Sequence, residues 1–150
     1  LKTFSELAQP KVALVSGDCF GGGLELLSSF DHVISSPQAY FGFWQRRIGL
    51  SFGWGGGTRW SEKNNRGDIL KLALEARSIC SEEAKNLGLI HQIVLDERLY
   101  EEGKKWLNSA MQWPEESLLG LRQWTPSRET KIFENLWNSS SHKIALQRYR

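Results

Sequence analysis

Apolar residues in the first third of the chain fall in short runs; further on they fall at helical spacing. KVALVS, 11–16, is such a run, with β-branched Val12 and Val15, and predicts a strand. Residues 3–8 predict the end of a helix that Pro10 stops. Gly17-Asp18 signals a turn. In CFGGGLELLS, 19–28, the residues after the glycines predict a helix: Leu24, Leu27 and Phe30 share a face that Leu26 widens. HVISS, 32–36, predicts a second strand, ended by Pro37. Strand, Gly-rich turn, helix and strand in this order point to an α/β fold.

The stretch 38–60 has no clean period. It is aromatic and punctuated by glycine, and predicts short extended structure over 39–41, then loop, with a short helix near Gly56–Trp60. GDILKLALEA, 67–76, is amphipathic, with Ile69, Leu72, Ala73 and Ala76 on one side. Ser81 is a candidate N-cap with Glu82 and Glu83 in the first turn, and Gly88 ends that helix. LIHQIVL, 89–95, predicts a strand. Helices follow over 97–110 behind Asp96, from Pro114 to about Trp124, and from a Ser127 cap toward Arg150, with a break at NSSS, 138–141. The sequence divides into a mixed part, 1–95, and a helical part, 96–150.

The 150 residues carry a net charge of only +2, which is no footprint for DNA or RNA. No apolar run approaches membrane-spanning length. Neither nucleic acid nor a membrane is an expected partner. Cys19 and Cys80 lie far apart and make no disulfide scaffold; reduced thiols in a cytoplasmic protein are the simpler reading. Three histidines and two cysteines give no metal-ligand spacing. His32 and His91 sit in predicted strands and read as structural, and His142 as a helix-surface residue.

The glycines narrow the chemistry. Gly17, Gly21, Gly22 and Gly23 lack the spacing of a dinucleotide fingerprint, and Gly53, Gly55, Gly56 and Gly57 lack the Lys of a phosphate loop. Glycines that open a helix let a ligand approach N–H groups that have no intrahelical partner. Such groups can hold an oxygen that becomes anionic in a transition state. Glu25, about one turn in, is a candidate acid or base.

At these residues the chain resembles the crotonase superfamily, the enoyl-CoA hydratase/isomerase fold. QPKVALVSGDCFGGGLELLSSFDHVISS resembles its strand, G-x-x-x-GGG-x-E-L helix and following strand. YFGFWQRRIGL resembles F-G-x-P-E-x-x-x-G, SFGWGGGTRW resembles P-G-x-GG-T-x-R-L, and ICSEEAKNLGLIHQIV resembles I-S-A-E-E-A-x-x-x-G-L-V-x-x-V-V. The four blocks stand in order and cover about residues 9–95. The resemblance implies a spiral of βαβ units closed by C-terminal helices. It also implies a homotrimer or hexamer, with residues 96–150 as the trimerisation-like region. The family's early strands and first oxyanion donor, an A/S-G-x-D segment, have no counterpart in the sequence; the N-terminal part of the domain is absent from it and expected to lie upstream, with a natural truncation as the main alternative and a separate N-terminal chain as a way to complete the site.

The resemblance carries over to individual residues. Gly22 is implied as an oxyanion N–H donor and Glu25 as the first catalytic carboxylate. Trp44 replaces the Pro of F-G-x-P-E, and Gln45 occupies the second Glu position, where it cannot act as a carboxylate base. Phe20, Gly21, Trp54 and Arg46 are the substrate-binding candidates; Arg47 shares with Arg46 the capacity to meet a carboxylate or a CoA phosphate. The implied function is an acyl-CoA-transforming enzyme of the hydratase/isomerase type that stabilises a thioester enolate. Coenzyme A enters as part of the substrate, with no permanently bound cofactor. Two alternatives stay open: a decarboxylase of a malonyl-type acyl-CoA, suggested by the likeness of GWGGGTRW to the corresponding stretch of ethylmalonyl-CoA decarboxylase, and a non-catalytic acyl-CoA-binding or assembly subunit.

Overall fold

In the computed structural model, which describes residues 2–149, a single turn α1 (Lys2–Ser5) precedes β1 (Val12–Val15). β1 buries Ala13 and Val15 and leaves Leu14 exposed, the alternation that a half-covered strand requires. β2 (Cys19–Phe20), α2 (Gly22–Leu27), β3 (His32–Ser35) and β4 (Tyr40–Gly42) follow. The chain continues through α3 (Gly56–Lys63), α4 (Arg66–Glu75), β5 (Ile79–Cys80), α5 (Ser81–Asn86) and β6 (Gln92–Ile93).

The strands form two sheets of three. β1 pairs parallel with β3, Val12 opposite His32, and β3 pairs parallel with β6, Ile34 opposite Gln92. In the second sheet β4 lies between β2 and β5, parallel to β2 with Cys19 opposite Phe41, and antiparallel to β5 with Tyr40 opposite Cys80. The first four strands therefore alternate between sheets. Each passage from one sheet to the other advances the chain by one pairing, which is how a spiral of α/β units is built. Leu24, Ile34, Phe41, Phe43, Trp60 and Leu89 fill the core. Trp60 is 2% exposed and donates its indole N–H to the Leu24 carbonyl at 2.8 Å, so the buried ring carries no unmet donor.

Several local expectations shift. Cys19–Phe20 and Ile79–Cys80 are strands two residues long, too short to leave a period in the sequence. The expected strand 89–95 contracts to Gln92–Ile93, because Leu89 and Ile90 are consumed in the buried turn that leaves Gly88 at φ 72°. Ser81 is the first helical residue rather than the cap. Its hydroxyl lies 2.7 Å from the Ser36 carbonyl and 3.0 Å from the Ala39 carbonyl, and ties α5 to the turn between β3 and β4. Asn65 does cap: its side chain accepts from the Gly67 N–H at 2.7 Å at the start of α4.

The described chain divides into two compact units, one up to Leu107 and one from Asn108. The division falls inside α6 (Leu99–Met111). The first turns of α6 belong to the first unit because Leu99 is buried, Gly103 sits against Leu14, and Trp106 stacks on His32 at 4.9 Å. The second unit holds α7 (Glu115–Arg122), α8 (Glu129–Leu136) and α9 (Ser140–Leu146). The helical run expected from Ser127 breaks within 138–141 as expected, where Asn138 takes φ 63° and Ser139 caps α9 by accepting from the His142 N–H at 3.2 Å. Ser127 pairs with the Thr125 hydroxyl instead of capping. Arg150, the last residue of the sequence, lies outside the described residues.

Candidate active site

The glycine triplet joins β2 to α2. Gly21 takes φ 56°, ψ −120°, a conformation that L side chains rarely adopt, and donates its N–H to the Gly42 carbonyl at 2.8 Å. That bond ties the end of β2 to the end of β4. α2 opens at Gly22, whose N–H, as the first of the helix, has no intrahelical partner. The side chain before the turn, Phe20, stacks on Trp44 with centroids 3.8 Å apart and planes 10° apart.

Glu25 is 2% exposed. A buried carboxylate must be supplied with donors, and this one receives four. Oε1 accepts from Gln45 Nε2 at 2.7 Å and from the Gly53 N–H at 3.2 Å. Oε2 accepts from the Trp54 N–H at 2.9 Å and the Gly56 N–H at 3.0 Å. Three of the donors are backbone groups of one loop, so the GWGGG stretch is wrapped around the Glu25 head group. Arg59 closes the arrangement from behind: Nε donates to Ser28 Oγ at 2.8 Å, and Nη2 to the Trp54 carbonyl at 2.9 Å and the Glu25 carbonyl at 3.4 Å.

These elements border a cavity of about 590 Å³, with Phe20, Gly21, Gly22, Glu25, Gln45 and Trp54 on its wall. Six of the seven residues singled out from the sequence therefore meet at one site. Trp54 is 55% exposed and lies over Gly22: a Cβ added to Gly22 would stand 2.7 Å from its Cζ3. Gln45 presents its amide nitrogen to Glu25, the orientation an acceptor-only carboxylate requires, which leaves Gln45 Oε1 buried without a partner among the described residues. The seventh residue, Arg46, does not line this cavity. It donates to the Leu74 carbonyl near the end of α4 and borders a smaller depression of about 220 Å³. Arg47 lines the Glu25 cavity.

The sequence offered no sign that Gly53, Trp54 and Gly56 donate to Glu25, because backbone donors carry no residue signature; the density of glycine in GWGGG was the only trace. Arg59 was likewise missed. Cys19 is free, and burial pushes its thiol up to about 11, so it is a poor nucleophile. Among the described residues no group of three His, Cys, Asp or Glu side chains converges as a metal site. Among the described residues no helix is long and apolar enough to cross a membrane.

The family model for enoyl-CoA hydratase/isomerase matches residues 1–148. Ethylmalonyl-CoA decarboxylase of Pongo abelii is 30% identical over 142 residues, covering 92% of this chain and 47% of that protein. A probable enoyl-CoA hydratase of Rhizobium meliloti is 35% identical over 94 residues, covering 63% of this chain and 37% of the relative. The crystal structure of enoyl-CoA hydratase from Thermoplasma volcanium matches 99% of this chain and 63% of its own, at 26% identity and a TM-score of 0.85. The chain spans less than half the length of these two curated relatives. With the family model matched along nearly all of it and a solved fold of the same kind superposing on it, the chain belongs to the enoyl-CoA hydratase/isomerase family.

Proposed function

We propose that the chain carries the acyl-handling half of an acyl-CoA-transforming enzyme of the hydratase/isomerase type, with coenzyme A as part of the substrate. The observation that carries this reading is the cavity whose wall holds both Gly22, the residue that opens α2, and Glu25. In this reading the Gly22 N–H donates to the thioester oxygen. Charge that collects on that oxygen as an enolate forms is stabilised by a donor already in position.

Glu25 moves the proton. Its four acceptor positions are filled, so taking up a proton requires that one donor leave. Three donors are backbone groups fixed in a loop, and the fourth is the Gln45 amide, which can swing on its side chain. Proton transfer at Oε1 thus couples to release of Gln45. A trimer or hexamer in the cytoplasm, completed by the part of the domain that the longer relatives possess, is the assembly in which this site would work.

A second reading is decarboxylation of a malonyl-type acyl-CoA. Two observations favour it: Gln45 stands where a hydratase-type site has a second carboxylate, and the ethylmalonyl-CoA decarboxylase match covers 92% of the chain. Here the bond to the carboxylate carbon breaks, CO2 leaves, and its electron pair becomes the enolate, so no base is needed for that step.

Glu25→Gln in the complete protein separates these readings. The variant is expected to lose enoyl-CoA turnover by at least about a hundredfold. An unchanged rate would remove Glu25 from the chemistry. CO2 released from a malonyl-type acyl-CoA would select the second reading, and tight acyl-CoA binding with neither reaction would overturn both and leave a binding subunit.

A further inference from the structure

The geometry points to Arg47 as the group that receives a carboxylate on the acyl chain, which makes the preferred ligand a malonyl-type acyl thioester rather than an uncharged one. This rests on the acyl-thioester reading above and adds the substrate class. Among the described residues Arg47 is the one cationic side chain on the wall of the Glu25 cavity.

Its guanidinium is held from two directions. Nε donates to the Ala76 carbonyl at 2.7 Å, at the left-handed residue that ends α4. The guanidinium carbon lies 4.1 Å from the centre of the Trp44 ring, itself stacked on Phe20. These contacts fix the plane of the fork and occupy only Nε. Neither Nη nitrogen has a protein partner among the described residues, and Arg47 is absent from their ion pairs. An arginine held at Nε, with both Nη groups open beside a cavity, suits a carboxylate or phosphate taken by two parallel bonds.

Glu25 does not compete for this charge. Its carboxylate is supplied by Gln45 and three backbone N–H groups and makes no ion pair among the described residues. Arg46, next in sequence, is turned onto Leu74 instead. The fork borders the cavity that Glu25 and Gln45 also line, which assigns it to a carboxylate on the acyl chain; a phosphate of coenzyme A is the other outcome of the test. Both present the same charged oxygens to the fork.

The test measures affinities of the complete protein for four thioesters: a malonyl-type acyl group and an uncharged acyl group of equal length, each on coenzyme A and on phosphate-free pantetheine. Arg47→Gln removes the charge, and Arg47→Lys keeps it without the fork. If the anion is the acyl carboxylate, Arg47→Gln weakens the malonyl-type pantetheine thioester about tenfold relative to its uncharged counterpart. If both CoA thioesters weaken about tenfold and neither pantetheine thioester does, the fork reads a CoA phosphate and the assignment to an acyl carboxylate is overturned. Arg47→Lys is expected to recover part of the loss, and it carries the measurement, with a several-fold loss, should the Gln variant fail to fold. Equal changes across all four ligands would reflect only the lost bond to Ala76 and overturn the assignment. Failure of the wild-type protein to bind any thioester would instead overturn the acyl-thioester reading.

Discussion

Gly56 donates its N–H to Glu25 Oε2 at 3.0 Å, and a Cβ added to Gly56 would stand 2.5 Å from Glu25 Cα. The start of α3 and the backbone of α2 are thus in direct contact, with no room for a side chain between them. Gly56→Ala is expected to push the helices apart and weaken the bonds on Glu25. Denaturant unfolding should show a loss of about 1–3 kcal/mol, the usual scale for overpacking a filled interior. An unchanged midpoint would mean that the two helices are not held together at this point.

Gln45 and Glu25 support a prediction of gained function. Gln45→Glu sets a second carboxylate where an amide donor now lies 2.7 Å from Glu25 Oε1. Two like charges at that separation favour sharing one proton, which leaves one carboxyl as acid and the other as base toward a water beside the pair. Hydration of an enoyl-CoA by the variant should exceed that of the wild type by about a hundredfold, measured as loss of enoyl absorbance. Lower hydration than wild type would argue that Gln45 serves the chemistry as an amide.

Acid should loosen the packing of α6 on β3. His32 stacks on Trp106 and lies 4.9 Å from the His91 ring, and His91 Nδ1 accepts from the Val33 N–H at 3.0 Å. Burial lowers the pKa of both imidazoles below 6.5; for His91 the neighbouring His32 and Lys63 add to it. A lowered folded-state value means that the unfolded chain binds more protons. Stability is then present above about pH 6.5 and lost as the pH falls through the folded-state values. Thermal melts between pH 7.5 and 5 should show this decline, and His32→Phe, which keeps an aromatic face for Trp106, should flatten it. A slope that survives the substitution would assign the effect to other groups.

Ser81 makes a prediction about folding alone. Its hydroxyl, buried between the Ser36 and Ala39 carbonyls and 3.1 Å from Ser35 Oγ, joins α5 to the β3–β4 turn. The Ser36 carbonyl keeps the Ser35 hydroxyl at 2.8 Å, so Ser81→Ala leaves the Ala39 carbonyl short of a donor in the interior and should cost about 1–3 kcal/mol in chemical denaturation. A surface cap in this position would cost less and would be restored by Asp, which is expected to be worse than Ala here because it buries a charge.

The elements with strong local signals were legible. β1 and β3 carry β-branched runs, α4 a helical apolar stripe, and Gly88 the left-handed stop of α5, each a property of neighbouring residues. β2 and β5 were not, since two-residue strands exist only through partners more than twenty residues away in sequence. Ser81 followed the same rule: its local pattern is that of a cap, and its hydrogen bonds are tertiary.

The sequence by itself determined which residue types could do chemistry here. A glycine triplet opening a helix and a glutamate one turn in are facts of order and spacing; that Gln45 stands where a second carboxylate is expected is what the resemblance to the family implies. Only the tertiary structure decided how they are held. It wrapped three backbone N–H groups and Gln45 around Glu25, laid Trp54 over Gly22, and turned Arg46 outward while leaving Arg47 at the cavity. The physical reason is that a buried charge takes whatever donors the fold brings to it, and most of those donors are peptide groups, which every residue but proline carries alike.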